Sequence, residues 1–288
     1  MKKLLILSGK GGTGKTTTAA ALARFSNAQA LADCDVDAPN LHIVTKMDAA
    51  PERSTFIGSQ KAHIDREACT GCGKCVEHCR FRAILPEHGK FKINEYACEG
   101  CGVCSYVCPA QAVHLADDEA GEQLLYRGER VFSTAQLKMG RGNSGKLVTN
   151  VKIAMLRNAP ETAELAIVDG SPGIGCPVIA SVSGMDLVLV VAEPSMSGLS
   201  DLERLVKTTK TLDSRLAVCV NKWDTSPAGT ESIERFCAEN EVPFLGKIPY
   251  DSAASRAINE GCSIADIECS ARDALWEIYQ KVRELLEL

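Results

Sequence analysis

Apolar runs and helical stripes alternate along most of this 288-residue chain. Six short runs, at 3–7, 28–33, 165–168, 187–191, 216–220 and 244–248, are rich in Leu, Val, Ile and Ala. The clearest of them are continuous, the pattern of strands covered on both faces of a parallel sheet. Between them, 15–25, 198–212, 230–240 and 252–259 carry helical spacing. A last stretch, 270–287, sets Leu275, Ile278, Val282 and Leu285 on one face. Its charges are mixed in sign, so it reads as a packing helix rather than a membrane-surface helix. The pattern predicts an α/β fold built on a doubly wound, mainly parallel sheet, with ligands at the carboxyl ends of the strands. The rhythm fails between about 59 and 116, which predicts a small α+β insert (59–116) dividing one larger domain into 1–58 and 117–288.

Chemistry enters directly after the first run. Gly9, Lys10, Gly11, Gly12, Thr13, Gly14, Lys15 and Thr16 form G-x-x-x-x-G-K-T between a strand pattern and a helical one. Strand, glycine loop and helix together make a phosphate site, because successive backbone N–H groups curl around phosphate oxygens at a helix start. Lys15 is expected on the outer phosphates, the Thr16 hydroxyl on Mg²⁺, and Thr17 follows at the nucleotide. Acids close later runs: Asp33, Asp35 and Asp37 after the second, and Asp169 after Ile167-Val168. A carboxylate beside a γ-phosphate can position and deprotonate water.

In the insert the spacing becomes that of cysteine ligands. Cys69, Cys72, Cys75 and Cys79 give C-x₂-C-x₂-C-x₃-C; Cys98, Cys101, Cys104 and Cys108 repeat it before Pro109. The repeat resembles the run of bacterial ferredoxins, in which the fourth cysteine serves the other cluster. That resemblance implies one [4Fe–4S] site of Cys69, Cys72, Cys75 and Cys108, and another of Cys79, Cys98, Cys101 and Cys104. Thiolates are soft, charged ligands suited to iron, and two identical full-cysteine runs weigh against structural zinc. Arg80 departs from the pattern by standing where proline is expected.

Lys10, directly after the first glycine, extends the likeness. Together with the switch segments it resembles the MinD/ParA superfamily, which includes the nitrogenase iron protein and the Mrp-type cluster carriers. The resemblance implies that Lys10 reaches across a dimer to the partner's nucleotide and that Asp35 orients the attacking water. It implies Asp33 and Asp169 near Mg²⁺, with Gly173 sensing the γ-phosphate through its N–H. Asn221 and Lys222 would read adenine, although the same string fits the guanine motif, so GTP remains open. Pro249 and Asp251 would cover the base.

ATP, Mg²⁺ and two [4Fe–4S] clusters are thus the expected cofactors. The expected partners are a second copy or a paralogue in the ATP state, and a redox or cluster-accepting protein. The expected function is an ATP-hydrolysing dimer switch coupled to electron transfer; a cluster carrier or assembly ATPase and a redox-sensing regulatory or positioning ATPase are the alternatives.

Composition narrows the field. A net charge of −5 argues against a general nucleic-acid binder. The run 187–192 is too short to span a bilayer, and residues 1–10 read as a first strand rather than a signal peptide, so the expected location is cytoplasmic. Fourteen cysteines without an export signal read as ligands and free thiols. Cys34, Cys219, Cys237, Cys262 and Cys269 are expected to be structural; Cys176 is read as a helix-start thiol, with a bridging cluster as the alternative. The locally basic stretch 138–152, with Gly140, Gly142 and Gly145, is read as a flexible surface loop rather than an anion site.

Overall fold

The computed structural model describes every residue except Lys46, Asp48 and Ala49. Its first half runs β1 (Lys2–Leu7), α1 (Lys15–Phe25), β2 (Ala30–Asp33), α2 (Leu41–Thr45), β3 (Glu52–Ile64), α3 (Lys74–His78), β4 (Ile84–Glu87), β5 (Lys90–Ile93), α4 (Val103–Tyr106), β6 (Val113–Tyr126) and β7 (Val131–Leu137). There follow α5 (Ser144–Asn158), β8 (Leu165–Asp169), α6 (Cys176–Val182), β9 (Leu187–Ala192), α7 (Met196–Thr211), β10 (Leu216–Asn221), α8 (Pro227–Glu239), β11 (Phe244–Ile248), α9 (Ser252–Asn259) and α10 (Ser270–Leu286). The chain forms two compact units, one of residues 1–54, 123–136 and 144–288, the other of residues 55–122 and 137–143.

In the first unit the strand order is β11-β10-β9-β1-β8-β2-β7. Every pairing among these strands is parallel. Parallel pairing needs crossover helices, and the alternating helical patterns supply them. Leu4, Ile6, Leu31, Ile167 and Leu189 are buried in one core with Leu22 of α1 and Leu275, Ile278 and Val282 of α10. Leu285, placed on the same face by the periodicity, packs partly buried against it. The first residues past β1, β2, β8, β10 and β11 therefore meet along one edge of the sheet.

One expectation fails. The stretch read as a surface loop enters α5, a helix from Ser144 to Asn158. Leu147, Val148, Val151 and Met155 of that helix are fully buried, at spacings of one, four and eight residues. The glycines that suggested a loop lie before the helix or in its first turn, where they cost little. No helix among the described residues is long and apolar enough to cross a membrane.

The second unit has a much smaller core. Ala62, Ala83, Cys98 and Val113 form one buried cluster there, with Ile64, Ile93, Leu115 and three further cysteines packed partly buried around them, and Phe56, Ile84, Ala112 and Ala120 are buried as well. β3 neighbours β6, and β4 pairs antiparallel with β5. The two cysteine runs have the same backbone. Gly71 and Gly100 have φ of 71° and 64°, and Gly73 and Gly102 have 78° and 76°. The third residue after each run, Arg82 and Gln111, sits at 52° and 51°. The fourth thiol of each run accepts from the backbone four residues on, Ala83 N–H to Cys79 Sγ at 3.4 Å and Ala112 N–H to Cys108 Sγ at 3.3 Å.

Candidate functional site

The loop between β1 and α1 is shaped by glycine where glycine is required. Gly14, the residue preceding α1, has φ of 93°, and a Cβ there would lie 2.2 Å from Asn221 Nδ2. The close approach is used: Asn221 Nδ2 donates to Thr13 O at 2.7 Å, and Lys222 Nζ donates to Gly12 O at 3.1 Å. The end of β10 is thereby tied to the phosphate loop. Gly12, Gly14, Thr17, Asn221, Pro249 and Asp251 all line one cavity, which brings the expected phosphate and base residues together. Asp251 also caps α9, accepting from Ala253 N–H at 2.9 Å.

Lys15 is buried and donates to Asp169 Oδ1 at 2.6 Å, with Asp35 Oδ2 3.8 Å away. Burial opposes its charge, but Asp169, and then Asp35 and Asp33, outweigh it and hold its pKa above the ordinary value. Thr16 Oγ1 donates to the other Asp169 oxygen at 2.6 Å. Hydroxyl and carboxylate side by side form the hard-oxygen pair that Mg²⁺ takes at such sites. Asp35 is part-buried, and burial raises its pKa against the pull of Lys15.

Asp33, expected near Mg²⁺, lies opposite Asp169 in the sheet. It is fully buried and accepts three backbone N–H groups, from Asp35 at 3.0 Å, Asn40 at 2.8 Å and Leu41 at 2.9 Å. It clasps the loop from 35 to 41. Burial, with Asp169 close by, pushes its carboxyl up to about 7 despite those donors. Gly173 donates its N–H to Ser8 O at 3.0 Å, so the expected phosphate sensor is engaged within the protein.

Lys10 is held within its own chain. It pairs with Glu193 Oε2 at 2.7 Å and donates to Ser197 Oγ at 3.3 Å. Glu193 also meets Lys222 Nζ at 3.3 Å, and Lys10 and Lys222 hold its carboxyl below the usual range. Glu193 was missed from sequence. Its signal is the one that identified Asp169, an acid just past a fully apolar strand. Lys152 was missed too: its Nζ donates to Ala180 O, Ser181 O and Ser183 O at 2.6–2.8 Å, closing the carboxyl end of α6.

The eight cysteines of the second unit gather as two sets. Cys69, Cys72, Cys75 and Cys108 line one cavity; Cys79, Cys98, Cys101 and Cys104 line another. Each set takes three thiols from one run and one from the other. Cys72 and Cys101 are exposed, and Lys61 Nζ is buried against Cys98 O. Among the described residues, no three His, Cys, Asp or Glu side chains are close enough to grip a single metal ion. Of the remaining thiols, Cys34, Cys219 and Cys237 are buried, Cys262 and Cys269 are partly so, and Cys176 begins α6 exposed.

Residues 4–264 match the CobQ/CobB/MinD/ParA nucleotide-binding domain family. An uncharacterized protein of Methanocaldococcus jannaschii is 32% identical over 99% of this chain and 97% of its own length. An iron–sulfur cluster carrier protein of Pyrococcus abyssi is 26% identical over 99% of this chain and 87% of its own. The septum site-determining protein MinD of Pyrococcus horikoshii, solved with Mg-ADP, superposes with a TM-score of 0.58 at 17% identity, covering 99% of this chain and 96% of that one. With its strand–loop–helix phosphate site set on a parallel sheet, the chain belongs to the CobQ/CobB/MinD/ParA nucleotide-binding family and is a P-loop ATPase of the MinD/ParA type.

Proposed function

We propose that this ATPase is an iron–sulfur protein in which nucleotide state gates redox exchange with a partner protein. One observation carries the reading: two cavities, each ringed by four cysteines drawn from both runs. Two features support a four-iron core in each: the donors are all thiols, and the fourth comes from the other run. When bound, such clusters supply one-electron chemistry at potentials set by their surroundings. Sites closed by four cysteines favour retention over release, which supports electron transfer as the first reading.

The nucleotide half follows from charges now paired with one another. Asp169 accepts from both Lys15 and Thr16. With ATP and Mg²⁺ bound, Lys15 would meet phosphate, and Thr16 and Asp169 would hold the metal. Asp35 orients water, and its raised pKa makes it a better proton acceptor than a free carboxylate. Asp33 holds the loop that carries Asp35. Asn221, Lys222, Pro249 and Asp251 place the base. Lys10 leaves Glu193 to meet the nucleotide of a second copy, so closure of a homodimer depends on the γ-phosphate.

A test is the rate at which the reduced protein passes electrons to an acceptor with ATP, with ADP and without nucleotide. Rates that differ with nucleotide are expected; equal rates remove the gating. The similarity to the Pyrococcus carrier favours a second reading, cluster delivery. Incubation with an apo-acceptor separates the two: iron retained after ATP hydrolysis leaves redox exchange, and iron transferred establishes delivery.

A further inference from the structure

The two cysteine runs share a backbone but not a surface. In the turn after the second run stand Pro109, Ala110 and Gln111; at the same positions after the first stand Arg80, Phe81 and Arg82. Ala110 lines the first cysteine cavity, and Phe81 lines the second. The contrast extends to the short helices. Lys74 and Glu77 in α3 correspond to Val103 and Tyr106 in α4. The second cavity is thus lined by Phe81 and Val103, 46% and 40% exposed, and Tyr106, 93% exposed, ends the short helix that carries Val103 and Cys104.

The two regions differ in how their cations are held. Near the first cavity, Arg66 and Lys92 share the carboxylate of Glu87, and Lys90 donates to the Arg66 carbonyl. Near the second, neither the Arg80 nor the Arg82 guanidinium has an ion-pair partner among the described residues. Glu99 is the acid lining that cavity, and Arg80 and Arg82 stand on either side of Phe81 in the chain. This basic spot lies on a chain whose net charge is −5. Both arginines are exposed, and Arg82 is held in the left-handed region that favours glycine. Exposed aromatic groups flanked by unpaired arginines are the composition of a protein-binding centre.

We infer that Arg80, Phe81, Arg82, Val103 and Tyr106 form a docking face for an acidic one-electron carrier protein, seated over the Cys79/Cys98/Cys101/Cys104 cavity. The inference rests on the reading that these cysteines hold redox clusters. It assigns the exit to one of two otherwise equivalent sites. Unpaired arginines steer an acidic partner by long-range attraction, and the apolar rim supplies the short contact that a small, transient redox interface needs.

The test uses anaerobically purified full-length protein and three probes: an acidic flavodoxin, an acidic plant-type ferredoxin, and basic cytochrome c. Binding is measured by calorimetry across a salt series. Binding of the acidic probes is expected, weakening as salt rises, with cytochrome c bound more weakly. Arg80→Glu/Arg82→Glu should weaken acidic-probe binding about tenfold or more and flatten the salt dependence. Phe81→Ala should weaken it at all salt concentrations. Gln111→Glu, at the matching position of the other run, should leave it unchanged. Should the double reversal disturb folding, Arg80→Gln/Arg82→Gln keeps the test, with a smaller loss in the same direction. Iron content and visible absorption are recorded for each variant. Intact iron with acidic-probe binding that is absent, or indifferent to both arginine substitutions, overturns the docking face and leaves the proposed function standing. Wild-type protein without iron overturns both.

Discussion

Around Lys15 the charged groups have protein partners, whereas the eight cysteines of the other unit have mostly each other. Asp169 joins Lys15 and Thr16, Asp33 gathers three backbone N–H groups, and Glu193 holds Lys10 and Lys222. Backbone N–H groups, among them those of Ala62, Ala83 and Ala112, donate to thiols of the two runs. The cores differ in the same sense. The first unit buries an extensive Leu, Ile, Val and Ala core between sheet and helices; the second buries a small set, half of it alanine and one of it a cysteine ligand candidate. So few buried apolar groups contribute little against the chain entropy of about seventy residues, and small units of this kind depend on a metal. The nucleotide site is a prearranged network of paired charges, and the cysteine unit, on the proposed reading, is a frame that its clusters would complete.

The largest effect expected from this contrast is in the network. Lys15→Ala should lower phosphate release on the order of 10²–10³-fold, as loss of a preorganised charge does. The visible absorption of the cysteine unit should not change; a loss of colour would mean that the two regions are not independent. Next is removal of iron with a chelator under anaerobic conditions. Hydrogen exchange should become fast across residues 55–122 while β1, β8 and β9 stay protected; uniform protection throughout would break the comparison.

Single ligands sharpen it. Cys108→Ser and Cys75→Ser should each remove about half of the iron and leave the same residual spectrum, because both belong to one crossed set. Cys79→Ser should leave the other spectrum. If Cys108→Ser instead matches Cys104→Ser, the sets do not cross. A smaller effect is expected at the base, where Asn221→Ala should weaken ATP binding about tenfold, or ~1.4 kcal/mol, in titration calorimetry. Comparison with GTP on the same variant shows which base edge Asn221 reads. Lys152→Met acts on stability alone: three carbonyls at the end of α6 lose their donor, at a cost of about 1–3 kcal/mol in denaturant unfolding.

Legibility followed the range of the interactions. Bounds written as 15–25, 244–248 and 252–259 from periodicity match α1, β11 and α9. Each of these segments declares itself through its own residues. The phosphate loop was legible because strand, glycines and helix lie within twenty residues. α5 was not, because Gly140, Gly142 and Gly145 mask the start of its stripe. Glu193 and Lys152 were not, because their partners lie over a hundred residues away or across a helix pair, and a lone charge carries no sign of what it will meet.

The string of residues by itself determined the parallel α/β class, the phosphate loop and the two ligand runs, since each is a local pattern of side chains and turns. Only the tertiary structure decided that Asp33 clasps its own loop, that Gly173 donates to Ser8, and that Lys10 turns to Glu193. Only it brought Cys108 to the first run's cysteines and Cys79 to the second's. Those outcomes depend on which strand ends meet and which groups must be satisfied once buried, and burial is a property of the folded chain.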